Sequence, residues 1–163
     1  VTREQMEHWG IEEEVLFQDA WANMFAKRPP VLMDFEDAYE HHYDQNILAM
    51  EKKPERIWRT DADFYVLTNK NGINGAACVL YKDVIKNFAE GMDRDILILP
   101  SSIHEVLLLP DDDQLPYRDL ADLVTFINQT EVPAEDRLSN QVYRYSRLKD
   151  QFSVVSFSPS SVC

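Results

Sequence analysis

The sequence predicts an α+β protein built around a strand–strand–helix–strand–strand (ββαββ) unit at about residues 64–110, in a small and mostly antiparallel sheet. Two short runs, Ile96–Leu99 and Ile103–Leu109, consist mainly of apolar residues, as strands covered on both faces do. The chain before residue 52 instead repeats its apolar residues at intervals of three and four, which is typical of amphipathic helices. Helices beside a central sheet account for both patterns.

Two helices are expected in the N-terminal third of the chain. Residues 11–27 form the first, with glutamates in its first turn, where they complement the helix dipole, and Pro29-Pro30 beyond its end. Residues 34–51 form the second, with Asp34 placed to cap its first turn. We expect the apolar stripe of the first helix to face the core through Ile11, Val15, Ala20, Trp21, Met24 and Phe25.

The central unit begins with Phe64–Asn69, whose aromatic and β-branched residues favour a strand. Asn71-Gly72 supplies turn chemistry, so Gly75–Tyr81 is predicted to return as the hairpin partner of that strand. Asp83 then precedes a short helix, and the two apolar runs follow as the remaining strands. Because both faces of these runs must be covered, we expect them to be the central strands of the sheet.

The C-terminal part is predicted to add one helix and one hairpin. Residues 117–129 form the helix, because their apolar side chains fall on one side. Residues 138–157 fit either a helix or a hairpin, and their β-branched and aromatic content favours a hairpin over 140–157. We expect one domain over 1–157 and a flexible tail over 158–163. The polar start at Val1, without a methionine, indicates a fragment of a longer protein.

The charge of the chain bears on its partners. It carries 29 acidic and 16 basic residues, for a net charge of -13. Phosphate backbones and anionic lipids repel such a surface, so neither nucleic acid nor a membrane is expected as a partner. No apolar run approaches the roughly 20 residues of a membrane span, and we expect a cytoplasmic protein. The four glycines form no phosphate-binding loop, and no cofactor is expected.

A group of two serines, a histidine and a glutamate is the candidate catalytic site. Ser101 and Ser102 precede His104 and Glu105, and a hydroxyl, a base and a carboxylate could together support nucleophilic hydrolysis. Alternation along the strand opposes this, because His104 and Glu105 point to opposite faces. The alternative is that His104 is a partly buried, hydrogen-bonded strand residue and that the serines form a turn.

Two further groups are candidate metal ligands. His41 and His42 are adjacent on the second predicted helix, about 100° apart, so they do not chelate one ion by themselves. Asp111 and Asp113 belong to an acidic loop that lacks the alternating ligands of a calcium site. Acidic residues before a helix are favourable in any case, so a weak divalent-metal site is an alternative hypothesis.

Residues 99–106 read Leu-Pro-Ser-Ser-Ile-His-Glu-Val, the most distinctive motif of the chain. Together with Trp9-Gly10, Phe64–Asn69, Gly75–Tyr81 and Val142–Tyr145, this motif resembles an uncharacterised bacterial family, a domain of unknown function common in gut Firmicutes. The resemblance is to the C-terminal part of the family members, which are longer at the N-terminus. It implies a bacterial cytosolic setting and no established activity.

The favoured hypothesis is a non-catalytic binding or protein-interaction module with a protein partner that the sequence does not identify. Such a module predicts a contiguous exposed apolar patch or an unpaired sheet edge. A hydrolase that uses His104 with Ser101 or Ser102 is the alternative, and it requires His104 within hydrogen-bond distance of its partners in a pocket. A weak divalent-metal site is the third hypothesis.

Overall fold

The computed structural model of the chain describes residues 1–42, 63–81, 83–100, 102–112 and 116–156, with 39–42 described by backbone alone. The α-helices in these ranges are α1 (Arg3–Trp9), α2 (Glu13–Lys27), α3 (Phe35–His42), α4 (Val84–Met92) and α5 (Tyr117–Thr130). The strands are β1 (Pro30–Asp34), β2 (Tyr65–Asn69), β3 (Ile96–Leu99), β4 (Val106–Pro110), β5 (Tyr143–Ser146) and β6 (Gln151–Val154). Two 3₁₀ helices lie at Gly75–Leu80 and Ala134–Asp136.

The strands form one sheet in the order β1-β2-β4-β3-β5-β6, and every neighbouring pair is antiparallel. The predicted α+β class is therefore confirmed. The two apolar runs supply β3 and β4, which occupy the middle of the sheet and pair Leu97 with Leu109. Their near-continuous apolar sequence follows from this position, since helices cover both faces.

Alternation along the strands divides the core into two clusters, one on each face of the sheet. One face packs against α3 and α5 through Phe35, Ala38, Val66, Leu97, Leu99, Leu107, Leu109, Leu120, Leu123, Val124 and Ile127. The other packs against α4 and the first 3₁₀ helix through Leu67, Ala76, Cys78, Tyr81, Ile85, Phe88, Ala89, Ile96, Ile98, Val106, Leu108 and Tyr145. Within β4, Val106 and Leu108 lie in one cluster and Leu107 and Leu109 in the other, as alternation along a strand requires.

The prediction that Gly75–Tyr81 is a strand is wrong, because Gly75–Leu80 is a 3₁₀ helix. Both edges of β2 are already occupied, by β1 and by β4, so no position beside it remains for a hairpin partner. The helix instead packs onto the sheet at Gly75, where an added Cβ would lie 2.1 Å from Thr68 Oγ1 and 2.4 Å from the His104 carbonyl oxygen. Only glycine allows this approach.

Two elements of the N-terminal region are not among the predictions. Helix α1 has a capping box in which Thr2 and Gln5 bond reciprocally, and it ends at Gly10 with a φ of 65°. Strand β1 begins at Pro30, whereas the sequence pattern indicates only that Pro29-Pro30 end the preceding helix. A proline is compatible with β1 because this strand lies at the edge of the sheet.

The second predicted helix, 34–51, corresponds in its first part to α3. The Asp34 carboxylate accepts a 2.8 Å hydrogen bond from the N–H of Asp37, which is the expected cap. The part of this prediction after residue 42 lies outside the described residues, as does the predicted tail 158–163. The predicted C-terminal hairpin is confirmed by the pairing of β5 with β6. The single domain and the longer parent protein stay predictions.

Helix α2 does not pack as its apolar stripe predicts, because none of its residues is buried. The Tyr81 side chain holds the C-terminal end of this helix. Its hydroxyl lies within hydrogen-bond distance of the carbonyl oxygens of Met24 (3.1 Å) and Arg28 (3.0 Å). The Arg28 guanidinium also donates to the Ile73 carbonyl at 2.9 Å. Helix α2 is therefore anchored at one end, and most of its apolar side chains stay accessible.

Candidate functional site

The predicted catalytic serine Ser102 bonds to the backbone next to it. Its hydroxyl oxygen accepts the backbone N–H of His104 at 2.9 Å, and the residue is fully buried. The Thr68 hydroxyl donates to the His104 carbonyl at 2.8 Å, so the peptide of His104 is held on both sides. Ser102 thus stabilises the turn before β4, and its hydroxyl is directed at the main chain.

The imidazole ring of His104 connects two loops. Its Nδ1 accepts the backbone N–H of Asn74 at 3.2 Å, and its Nε2 lies 3.5 Å from Asp136 Oδ1. Because Nδ1 is an acceptor, the neutral ring carries its proton on Nε2, toward Asp136. Neither nitrogen is directed at Ser102, so the ring is not placed to act as a base toward that hydroxyl. Ser101 lies outside the described residues.

The remaining candidates whose side chains are described, Glu105 and Asp111, lie at opposite ends of β4 and do not form a common site. Glu105 is buried just before β4, with 4% of its surface exposed. Asp111 is directed at other protein groups, as its carboxylate accepts the Tyr117 hydroxyl at 2.8 Å. The side chains of His41 and His42, and all of Asp113, lie outside the described residues. Within the described ranges no three His, Cys, Asp or Glu side chains form a metal-binding group.

A mixed-charge cleft of about 600 Å³ lies where the C-terminal hairpin meets the ends of β3 and β4. Arg144 spans it, with Nη2 3.0 Å from Asp95 Oδ2 and Nε 3.0 Å from Asp111 Oδ2. The N–H of Arg147 donates to Asp95 Oδ1 at 2.9 Å, and its guanidinium lies 2.9 Å from Asp93 Oδ1. Arg144 and Arg147 are thus paired with carboxylates of the protein, and these contacts hold the β5–β6 hairpin against the sheet.

The two edges of the sheet differ in how they are protected. Edge strand β1 contains Pro30 and Asp34, and both a proline and a charge discourage pairing with another chain. Edge strand β6 reads Gln-Phe-Ser-Val, with neither feature. All four of its residues are exposed, and within the described ranges it pairs with β5 alone. No strand that the structure describes pairs with the free side of β6, so a further strand can pair there.

The register shows which backbone groups face this open edge. Residues of an antiparallel pair alternate between those whose N–H and C=O point at the partner strand and those whose groups point away. The N–H of Val155 donates to the Val142 carbonyl at 3.0 Å, so the backbone groups of Val155 point toward β5. By alternation, the backbone N–H and C=O of Ser153 also point toward β5. The N–H and C=O of Phe152 and Val154 consequently point outward.

A second cleft, of about 270 Å³, lies beside β6, and we call it the β6 cleft. It is lined by Val79, Leu80, Tyr81, Asp83, Ile85, Lys86, Tyr145, Asp150 and Phe152. Lys86 Nζ lies 3.0 Å from Asp150 Oδ2, and the Tyr145 hydroxyl donates to the same carboxylate. Burial, and then the bond to Asp150, raises the pKa of Tyr145 to about 12. The phenol is thus a stable neutral donor at the floor of the cleft.

Helix α2 presents an exposed aromatic row, Phe17, Trp21 and Phe25, at intervals of four residues. Their exposed fractions are 63%, 38% and 53%. The rings of Trp21 and Phe25 contact Tyr81, at centroid distances of 6.3 Å and 5.3 Å. Because Tyr81 also lines the β6 cleft, the aromatic row and the cleft lie on the same side of the molecule.

The open edge was not among the predicted site residues. The sequence indicates the hairpin, but strand order depends on pairing between distant segments, so it does not show that β6 is an edge. One local signal was available, which is the absence of proline and charge from Gln151–Val154 next to the charged turn Lys149-Asp150.

Comparison with known proteins identifies a family. The model of a protein family described as of unknown function, DUF5688, matches residues 1–147. No curated protein and no solved structure matches the chain. The prediction that the chain resembles an uncharacterised family is confirmed. Of the helices that the structure describes, none combines the length and apolar character needed to cross a membrane.

Proposed function

Because the chain belongs to DUF5688, a family to which no function is assigned, we propose from its geometry that it is a non-catalytic protein-interaction module. It binds an extended segment of a partner protein along the open edge of β6. The observation that carries this proposal is the unprotected edge, where the backbone groups of Phe152 and Val154 point outward.

Addition of a strand is a common mode of peptide recognition. Main-chain hydrogen bonds to the open edge supply affinity, and contacts with alternate side chains supply specificity. Phe152 and Val154 each offer one donor and one acceptor to an incoming segment. Their side chains are 54% and 37% exposed and provide apolar contact area beside those bonds. The edge therefore offers both the polar and the apolar part of such an interface.

Binding is favoured over hydrolysis by the surroundings of His104. Its ring nitrogens face the Asn74 N–H and Asp136, and the Ser102 hydroxyl faces the backbone. A serine hydrolase needs a base directed at its nucleophile. A fluorophosphonate probe, which labels activated serines, tests this directly, and we expect no labelling of Ser101 or Ser102. Labelling that is lost in His104→Asn would instead support the hydrolase hypothesis.

The proposal includes a setting and a class of partner. The resemblance of residues 99–106 to a bacterial family supports a bacterial cytoplasmic protein. The net charge of -13 supports a protein partner over nucleic acids and anionic membranes, because phosphate groups would be repelled.

Selection from a displayed library of random peptides on the immobilised chain tests the proposal. We expect enriched peptides that bind the chain and lose binding in Val154→Pro, which removes the outward N–H and fills the edge with a ring. Val154→Thr keeps the N–H and the shape of the side chain, so it should bind as the unchanged protein does. Equal binding to both variants, with both folded by circular dichroism, would show that β6 is not the site.

A further inference from the structure

The β6 cleft is adjacent to the proposed binding edge, and its walls are mostly apolar. Phe152 pairs with Tyr145 across the hairpin, with a ring centroid distance of 5.0 Å, so both side chains lie on the face that bears the cleft. In a sheet, directly opposed residues of neighbouring strands place their side chains on the same face. The partner residue opposite Phe152 would therefore face the cleft.

The described residues that line the β6 cleft carry more negative than positive charge. Asp83 and Asp150 line it and Lys86 is the cation in its lining. Glu90 lies near enough to act electrostatically on both Lys86 and Tyr145, and Asp83 does the same. Among the described residues that line the cleft, two carboxylates thus lie beside one ammonium group, and Glu90 lies nearby. A cation on an incoming segment would be attracted to the Asp150 end of the edge.

We infer that the segment bound at β6 carries a bulky apolar residue opposite Phe152 and a lysine or arginine two positions away, toward Asp150. Side chains two residues apart on a strand share one face and lie roughly 7 Å apart, which matches an apolar residue at the cleft and a cation at its rim. This inference rests on the proposed function and specifies the chemistry of the partner.

A second copy of the chain fits this edge less well. Each copy has a net charge of -13, so two copies repel each other. Within Gln151–Val154 there is also no basic residue that could face the carboxylates of the other copy. The charges on both sides therefore favour a partner with basic residues.

The test uses three blocked synthetic heptapeptides, followed by nuclear magnetic resonance of the labelled full chain. The first reads Thr-Lys-Thr-Phe-Thr-Lys-Thr, the second replaces both lysines with glutamate, and the third replaces phenylalanine with alanine. We expect the first to perturb the amides of Phe152 and Val154 and to bind at least about tenfold more tightly than either other peptide at low salt. The advantage over the glutamate peptide should shrink in high salt, because surface charges are screened.

A matched pair of variants tests the role of the carboxylates. Asp83 and Asp93 both have positive φ, of 70° and 55°, which asparagine tolerates, and both are exposed at the ends of α4. Asp83→Asn should reduce several-fold the ratio by which the chain binds the lysine peptide more tightly than the glutamate peptide. Asp93 lies in the other cleft, so Asp93→Asn should leave this ratio unchanged.

The outcomes separate this inference from the proposed function. Equal binding of the lysine and glutamate peptides at β6 would overturn the inference and keep the strand-addition function. Binding of none of the peptides at β6 would count against both. A concentration-dependent dimer, with protected amides at Phe152 and Val154, would overturn the inference by showing that the occupant is a second copy.

Discussion

The backbone N–H of Val155 donates to the carbonyl of Val142 at 3.0 Å, and this bond fixes the direction of every backbone group along β6. It turns the amides of Phe152 and Val154 toward the open edge of the sheet. The hairpin that carries this edge is held to the rest of the molecule by Arg144 and by the Lys86–Asp150 ion pair, and the Tyr145–Asp150 bond joins its first strand to its turn. Its stability is therefore a condition for the proposed binding.

Removing the Tyr145 hydroxyl should weaken the hairpin. Tyr145→Phe keeps the ring contact with Phe152 but loses the bond to Asp150, and we expect it to lower the free energy of unfolding by about 1 kcal/mol. Urea denaturation measures this change. An unchanged urea midpoint would show that the bond does not stabilise the fold.

Alkaline pH should destabilise the protein partly through the same residue. In the folded state the pKa of Tyr145 is raised from its ordinary 10.0 to about 12, so above pH 10 the unfolded chain releases this proton first. The stabilisation is complete below pH 10 and is lost as the pH rises toward 12. Tyr145→Phe should lose less stability over that interval, although Tyr65 and Tyr81, whose pKa values are also raised, still contribute. Identical pH profiles would contradict the assignment.

The two ring nitrogens of His104 make different contacts, and the contribution of each contact to stability can be measured separately. His104→Asn keeps an acceptor near the position of Nδ1, so it should retain the bond from Asn74 and cost little stability. His104→Ala removes both contacts, and we expect it to cost about 1–2 kcal/mol. Thermal and urea unfolding compare the two. Equal losses in both variants would show that the Asn74 bond is not the stabilising contact.

The close approach at Gly75 has a matched control within the chain. Gly75→Ala would bring a methyl group against Thr68 and the His104 carbonyl, and we expect a loss of about 3 kcal/mol from overpacking. Gly91, in α4, has nothing within 4 Å of an added Cβ, so Gly91→Ala should stabilise the helix by about 0.5–1 kcal/mol. A neutral Gly75→Ala would contradict the packing described for the 3₁₀ helix.

The Arg144–Asp111 pair should show strong coupling. The Asp111 side chain is 1% exposed, so Arg144→Met removes the guanidinium from a buried carboxylate and should cost about 3 kcal/mol. Asp111→Asn in the same protein should recover much of that loss, because the buried charge is also removed. A double-mutant cycle measured by urea unfolding gives the coupling. Additive single losses would mean that the two groups do not interact.

The sequence predicted the parts of the fold that depend on local pattern. The apolar runs identified the central strands β3 and β4, and the aromatic content after Gln141 favoured the hairpin over a helix. Gly75–Leu80 was assigned wrongly because its small apolar residues suit a strand as well. What decides its conformation is the pairing of β2 with β1 and β4, which depends on residues distant in sequence.

The candidate site was less predictable than the fold. His104, Ser102 and Glu105 attracted a catalytic hypothesis by residue type, whereas the bonds of His104 to Asn74 and of Ser102 to the backbone depend on where loops meet. Most of the predicted core stripe of α2 is exposed instead, and the contacts that the described residues make with this helix, through Met24 and Tyr81, lie near its C-terminal end. Exposure of Phe152 follows from strand order, which no local pattern contains.

Hydrogen exchange at three consecutive amides of β6 tests the central claim most directly. In the free protein, the N–H groups of Phe152 and Val154 should exchange rapidly, whereas that of Ser153, directed at β5, should be protected. With a selected peptide at saturation, Phe152 and Val154 should become protected as well. Unchanged exchange at both residues, with new protection on α2 around Trp21 instead, would contradict strand addition at β6.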